Sequence, residues 1–253
     1  YTTLFRSFII VGAGSAGSAL ANRLTANPDN RVLLLEAGGA DSHPWVRIPM
    51  GYGKVFYDQS VNWKYTTEPN ETLDGNRIYW PRGKVMGGSS SINAMVYVRG
   101  HPQDYDHWAK DAPGWSWTDV APVFKRMENW LGAANPDRGS DGPLTVRDIA
   151  GDAHPLCANY LTAAEQAGFA YNPDYNSGQM EGAALYQITT KNGLRASAAR
   201  AYITPIQHRS NLTLALRAHV QKLCLKGRKV TDVRYLLKGQ LKTAHARAEV
   251  ILC

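Results

Sequence analysis

Gly12, Gly14 and Gly17 are spaced as G-x-G-x-x-G, and their neighbours show what the spacing could do. Ahead of them runs Phe8-Ile9-Ile10-Val11, a short continuous apolar stretch of the kind buried on both faces of a parallel sheet. Behind them, residues 16–26 carry Leu20 and Leu24 four apart on one helical face, and Asn27-Pro28-Asp29-Asn30 ends the helix. Arg31-Val32-Leu33-Leu34-Leu35 then reads as a second buried strand, closed by Glu36, 19 residues beyond Gly17. Strand, glycine turn, helix, strand and acid in that order predict a dinucleotide-binding βαβ unit. Gly12 permits the tight turn, Gly14 lets the backbone approach a pyrophosphate, and Gly17 lets the helix pack close to the sheet. The helix N-terminus offers unpaired N–H groups and a positive dipole end to phosphates. Glu36 can accept a hydrogen bond from a ribose 2′-hydroxyl and would repel a 2′-phosphate, which argues against NADP. Between NAD and FAD this motif alone does not choose.

A second loop carries a different signal. Gly87-Gly88-Ser89-Ser90-Ser91 is a run of five small residues that a flat surface or a phosphate can approach closely. Residues 92–98, apolar but for Asn93, follow directly and anchor the loop in a core, which a flexible surface turn would not need. The expectation is a second ligand-cradling loop near the first.

On these residues the chain resembles the glucose–methanol–choline (GMC) oxidoreductases, FAD-dependent enzymes that oxidise alcohols. The likeness rests on residues 12–17 with Glu36-Ala37-Gly38, on residues 83–106, and on Gly193-Leu194-Arg195-Ala196-Ser197-Ala198-Ala199-Arg200. In the second stretch Gly83, Lys84, Gly87, Gly88, Ser89, Ser90, Ile92, Asn93, Tyr97, Gly100 and Asp106 match the family signature. Met86 stands where Leu, Ile, Val or Trp is usual, a swap of similar volume. Within the family the stretch is most similar to bacterial choline and aliphatic-alcohol dehydrogenases. The resemblance implies that Ser15 and Ala16 lie at the FAD pyrophosphate and that Glu36 and Ala37 hold the adenosine ribose. It places Trp63 near the cofactor, and Val85, Gly87, Asn93, Ala94, Met95 and Val96 along the ribityl chain and isoalloxazine. Val220 would meet the adenine through its backbone. Covalent attachment in some relatives needs a histidine on the glycine–serine loop. Ile92 and then Asn93 stand at that place, so the FAD is expected to be non-covalent.

The elements that must position these residues follow an α/β plan: a Rossmann-like FAD-binding domain with a parallel sheet and a β-meander, plus part of an α+β substrate domain. Residues 1–150 are read as the first segment of the FAD domain, with 41–80 a loop-rich, lid-like excursion (Pro44, Pro49, Gly51, Gly53, Pro69). Ser116 or Thr118 can cap a helix reaching Asn129, and residues 132–143 read as a linker. Residues 151–191, with a helix over 155–167, begin the substrate domain, and 192–253 return to the FAD domain. Residues 212–216, 220–226, 230–238 and 240–244 read as short strands, and 249–253 as a buried one that stops abruptly.

Composition sets the outer limits. With 44% hydrophobic and 19% charged residues, the 253-residue chain can bury a core and is not disordered. No apolar run approaches the roughly 18 residues that would cross a membrane. Cys157, Cys224 and Cys253 are far apart and fit neither a disulfide scaffold nor a cysteine metal site, and no metal is expected. The net charge of +7 sits in one place: between Arg217 and Glu249 there are nine bases and two acids, and the rest of the chain sums to zero. Bases alternate there with Leu223, Leu225, Val230, Val233 and Leu236, as on the solvent face of a strand meander, so nucleic acid is not expected as a partner. Peripheral contact with the inner membrane is the most that charge allows for an otherwise cytoplasmic protein. Tyr1 in place of Met reads as a trimmed start, where a targeting segment could be hidden.

The resemblance implies oxidation of a small-molecule alcohol by hydride transfer to flavin, with O₂ or another electron acceptor reoxidising it; the oligomeric state is silent. Alternatives are an FAD-containing hydroxynitrile-lyase-type enzyme, which leaves its flavin oxidised, and a non-catalytic dinucleotide-binding fragment; an NAD dehydrogenase is disfavoured by residues 83–106. Alcohol oxidation needs a base, and none of the seven histidines falls in a matching motif. His101, His107 and His154 are read as solvent-facing loop residues. No catalytic residue is therefore assigned here, and the chain is expected to be an N-terminal half whose base lies beyond Cys253.

Overall fold

The computed structural model describes residues 4–253. By packing, the chain forms two compact units, one made of the chain up to Ala94 together with Gly193–Cys253, the other of Met95–Asn192.

The first unit is built on a six-stranded sheet. Its strands are β1 (Leu4–Val11), β2 (Val32–Glu36), β3 (Leu212–Leu216), β4 (Ala218–Lys226), β5 (Lys229–Leu237) and β6 (Gln240–Leu252), in the spatial order β4-β5-β6-β1-β2-β3. β6, β1, β2 and β3 run parallel, with Ile9 opposite Leu33 and Val250, and Leu34 opposite Ile10 and Leu214. β4, β5 and β6 form an antiparallel meander. All five residues of β2 are buried, because both sheet faces are covered. Ile10, Val32 and Leu34 pack on one face with Ala21, Met86, Ala199, Ile203 and Ile206. Ile9, Leu33 and Leu35 pack on the other with Ala218, Val233, Tyr235 and Ala244. Burying each of these isoleucine, leucine and valine side chains is worth about 1.5–3 kcal/mol.

Helix α1 (Ser15–Leu24) crosses from β1 to β2, and Ala21, Leu20 and Leu24 supply its apolar face. Its bounds fall close to the expected 16–26. The strands expected at 240–244 and 249–253 are one 13-residue strand, β6. The intervening His245-Ala246-Arg247-Ala248 gives no turn signal, and a register shift opposite Arg6 and Phe8 in β1 absorbs the irregularity. The 41–80 excursion is not simply loop: it holds Pro44–Arg47, Pro49–Gly51 and Tyr52–Val55 as single helical turns, where His43 Nδ1 accepts from the Trp45 N–H.

The second unit carries helices Pro102–Trp108, Trp117–Met127 and Pro155–Gln166, and a short parallel pair, Glu128–Trp130 with Leu144–Val146. Ser116 and Asp119 close a capping box on the middle helix. His101 and His154 are helix caps: each Nδ1 accepts an N–H, from Gln103 and Leu156, with a proline next in sequence. The expected linker 132–143 is packed. Its Arg138 is buried against Glu128 at 2.6 Å and Asp174 at 2.6 Å and stacks over Trp130 at 3.9 Å. Packing thereby joins 95–150 to 151–192, whereas the sequence reading set its first boundary at 150.

Candidate functional site

The parallel strands end at a cavity of about 520 Å³ in the first unit. Its floor is the C-terminal edge of the sheet (Val11, Leu35, Glu36), where ligands bind open α/β sheets. Gly12, Gly14, Ser15, Gly83, Gly88 and Ser89 line it as well, so both glycine loops meet one space. Ala37, Trp63, Tyr65, Arg82, Ala218, His219, Val220 and Cys253 complete the wall.

Each glycine of the first loop has a distinct physical reason. Gly12 turns the chain at φ +101°, and a Cβ there would stand 2.5 Å from the Cys253 carbonyl oxygen. A Cβ on Gly17 would come within 1.9 Å of the Gly12 carbonyl oxygen, so the helix could not pack as it does. A Cβ on Gly14 would meet no protein atom within 4 Å. That side of Gly14 is open space, free for another molecule. Gly14 caps α1 with no side-chain hydrogen bond, and Ser15 of the first helical turn lines the cavity, giving an N-terminus suited to an anion.

Glu36 closes the turn from the side. Its Oε2 accepts from the Ala13 N–H at 2.9 Å and its Oε1 from the Gly38 N–H at 2.8 Å. Burial pushes its carboxyl above the usual range, and those backbone bonds pull it only part of the way back. The carboxylate therefore has a structural task besides any ribose contact, one the sequence reading did not foresee.

The second loop is held against the first. The Gly87 N–H donates to the Ala13 carbonyl at 2.7 Å, with Gly87 at φ +88°. Ser91 Oγ donates to the Met86 carbonyl at 2.7 Å, and Ser90 Oγ accepts from the Ala198 N–H at 2.9 Å. Asn62, also buried, fixes the neighbouring strand by accepting from the Arg82 N–H at 3.0 Å and the Lys64 N–H at 2.9 Å. Trp63 then lies parallel to Tyr65 at 5.8 Å, near His219 at 5.4 Å, with Lys84 Nζ 4.6 Å from its ring.

Of the residues singled out by sequence, Gly12, Gly14, Ser15, Glu36, Ala37, Trp63 and Val220 line this cavity. Ala16 sits in the first turn of α1, and Gly17 is buried beneath it. Val85 is fully buried with Val46, Val55, Val61 and Ile92 and is not in the cavity wall. Gly87 forms the contact between the loops. Asn93 and Ala94 follow the loop but are not in the cavity wall, and Met95 and Val96 belong to the second compact unit. Tyr65, Arg82 and His219 were missed as lining residues. Alternation along 63–65 and the adjacency of His219 to Val220 were the available signals. Among the described residues no cluster of His, Cys, Asp or Glu could hold a metal ion.

A family model described as GMC oxidoreductase matches residues 6–253. An oxygen-dependent choline dehydrogenase of Vibrio vulnificus is 42% identical over 248 residues, covering 96% of this chain and 44% of the relative. An alcohol dehydrogenase [acceptor] of Pseudomonas putida is 42% identical over 251 residues, covering 97% of this chain and 45% of the relative. Among solved structures, a pyridoxine 4-oxidase from Mesorbium loti superposes with a TM-score of 0.93 at 33% identity, over 98% of this chain and 49% of that one. An FAD-dependent oxidoreductase from Chaetomium thermophilum gives a TM-score of 0.89 at 26% identity, over 98% and 45%. The chain thus spans less than half the length of the relatives it matches.

Proposed function

The chain belongs to the GMC oxidoreductase family, and from that premise we propose that its cavity binds FAD, without a covalent bond, for oxidation of a small-molecule alcohol. The observation that carries the reading is the pairing of an open Gly14 with an uncapped helix end in the cavity that both glycine loops line. A dinucleotide fits such a cradle, since the space where a Cβ would stand is the space a pyrophosphate needs.

FAD, when bound, would supply the hydride acceptor and the redox couple that O₂ or another acceptor reoxidises. The chain's own residues bind and orient. The first turn of α1 offers Ser15 and Ala16 N–H groups to the pyrophosphate. Glu36, held by Ala13 and Gly38, keeps lone pairs for the ribose hydroxyls, and Ala37 lies beside it. Val220 and Trp63 flank the cavity where an adenine would lie. We assign no catalytic base to this chain. In domain terms, the unit of residues up to Ala94 with Gly193–Cys253 is proposed as the FAD-binding part, and the unit Met95–Asn192 as the one in which the substrate domain, read from the sequence at 151–191, begins.

No helix among the described residues is long and apolar enough to cross a membrane. A cytoplasmic location, with peripheral membrane contact at most, is part of the proposal. The test of the reaction class is anaerobic mixing of the FAD-loaded, full-length protein with choline and with aliphatic alcohols. Bleaching of the flavin supports alcohol oxidation. A flavin that stays oxidised with every alcohol contradicts it.

A further inference from the structure

Among the described residues three arginines are buried, and two of them face a carboxylate: Arg99 and Arg138 meet Glu128 at 2.5 and 2.6 Å. Arg195 is as buried, at 5% exposure, yet makes no ion pair among the described residues. Its Nε donates to the Val46 carbonyl at 2.8 Å. Its Nη1 donates to Asn93 Oδ1 at 2.8 Å and to the Ser90 carbonyl at 3.2 Å. Its Nη2 is buried without a partner. Three neutral acceptors thus hold a full positive charge. Burial pulls its pKa down to about 10, which leaves it charged at neutral pH.

A staple between carbonyls does not require a charge, and a buried charge with no counter-charge is among the costlier groups a fold can keep. The position of the charge suggests its use. Ser90 lies in the turn Gly88–Ser91, whose glycine lines the cavity, and Asn93 follows it directly. The guanidinium sits behind this loop and ties it to the turn Pro44–Arg47. Because Arg195 reaches both Ser90 and Asn93, any change in its side chain alters the loop's position and the local field together.

We propose that Arg195 is a positioning residue for the flavin and the buried counter-charge for the negative charge that the flavin ring takes up on reduction. The proposal rests on the FAD reading above. A fixed positive charge in a water-poor site favours the electron-rich form of the ring, because no solvent reorganisation is needed to meet the new charge.

Sulfite tests this without turnover. Its sulfur lone pair adds to flavin N5, forming an S–N bond and pushing an electron pair into the ring, which becomes anionic. FAD is first titrated into the full-length protein and into its Arg195→Gln, Arg195→Lys and Asn93→Asp variants. Sulfite is then titrated into each complex and followed by bleaching of the flavin band. Arg195→Gln is expected to weaken sulfite binding at least about tenfold, equivalent to about 30 mV for a two-electron couple. Arg195→Lys, which keeps the charge, should stay much nearer the parent. Asn93→Asp leaves the arginine in place and sets a carboxylate on Nη1, so it should weaken sulfite binding even where Arg195→Gln does not fold. If sulfite adds to none of them, dye-equilibrated midpoint potentials are expected in the same order.

A parent chain that binds no FAD overturns the flavin reading and this proposal together. A parent that binds FAD, with sulfite affinities or potentials unchanged in Arg195→Gln and Asn93→Asp, overturns this proposal alone. Loss of FAD by both Arg195 variants with an unchanged flavin in Asn93→Asp makes Arg195 a structural staple only, and also overturns it.

Discussion

The Gly87 amide donates to the Ala13 carbonyl at 2.7 Å and so joins two glycine-rich loops 74 residues apart. Ala13 is held from both sides, its own N–H going to Glu36 Oε2 at 2.9 Å. One turn thereby carries the end of β1, the start of α1, the end of β2 and the second loop, and the cavity opens where they converge.

The glycines of the first loop should separate by phenotype. Gly17→Ala puts a methyl 1.9 Å from the Gly12 carbonyl oxygen and should destabilise the chain by about 3 kcal/mol or more. Gly14→Ala meets no protein atom within 4 Å and should change stability by about 1 kcal/mol or less. Its FAD affinity should nonetheless fall at least about tenfold, or about 1.4 kcal/mol. Urea melts and flavin-fluorescence titrations of both variants check this. Equal FAD affinity in Gly14→Ala and the parent would remove Gly14 from the binding surface.

Glu36 should leave a signature in the pH dependence of stability. Burial raises its carboxyl pKa in the folded chain. From the unfolded value of about 4.3 up to the raised folded value, the folded chain binds more protons than the unfolded one. Stability conferred at this site therefore falls as pH rises through that window. Thermal melts of the parent and of Glu36→Gln, which cannot titrate, should show the parent losing ground to the variant from pH 4 to pH 7. A difference independent of pH would mean that the carboxylate is not desolvated in solution.

Replacing Glu36 by Ala should in addition weaken FAD binding by about 1.5–3 kcal/mol, the scale of a hydrogen bond to a charged group. Isothermal titration with FAD measures it directly. Retention of the parent's affinity would leave Glu36 with its backbone contacts to Ala13 and Gly38 as its whole role.

In the second unit, Glu128→Gln should be severe. The carboxylate is fully buried between Arg99 and Arg138 and also accepts the Gly139 N–H at 3.0 Å. Removing one member of a buried ionic set costs about 3–5 kcal/mol. Exposed Asp111→Asn serves as the control in urea denaturation. A midpoint for Glu128→Gln equal to the control's would show that the ionic set contributes no net stability.

Much of this was legible in the sequence where the signal is local. The apolar run before Gly12, the helix after it and the apolar run ending at Glu36 fix β1, α1 and β2, because both faces of a parallel strand must be apolar and the glycines have no substitute at Gly12 and Gly17. What escaped depends on distant partners. Nothing in the spacing of residues 132–143 shows that Arg138 is buried by Glu128 and Asp174, so a packed turn reads as a linker. Three residues, His43, His101 and His154, cap helical turns because a proline follows each, a signal present but not weighed. Arg195 is visible as part of a motif, but its missing counter-charge appears only when Val46, Ser90 and Asn93 come together in space.

The most direct measurement is an FAD titration of the purified full-length protein, read by visible absorbance after gel filtration, with Gly14→Val alongside and NAD as competitor. The account predicts one tightly held FAD per chain, little or none in a folded Gly14→Val, no displacement by NAD, and release of all the yellow colour into the supernatant on acid precipitation. A chain that elutes without flavin, or a Gly14→Val that holds it as tightly as the parent, would contradict the assignment of this cavity. Colour that stays with the acid pellet would contradict the non-covalent reading.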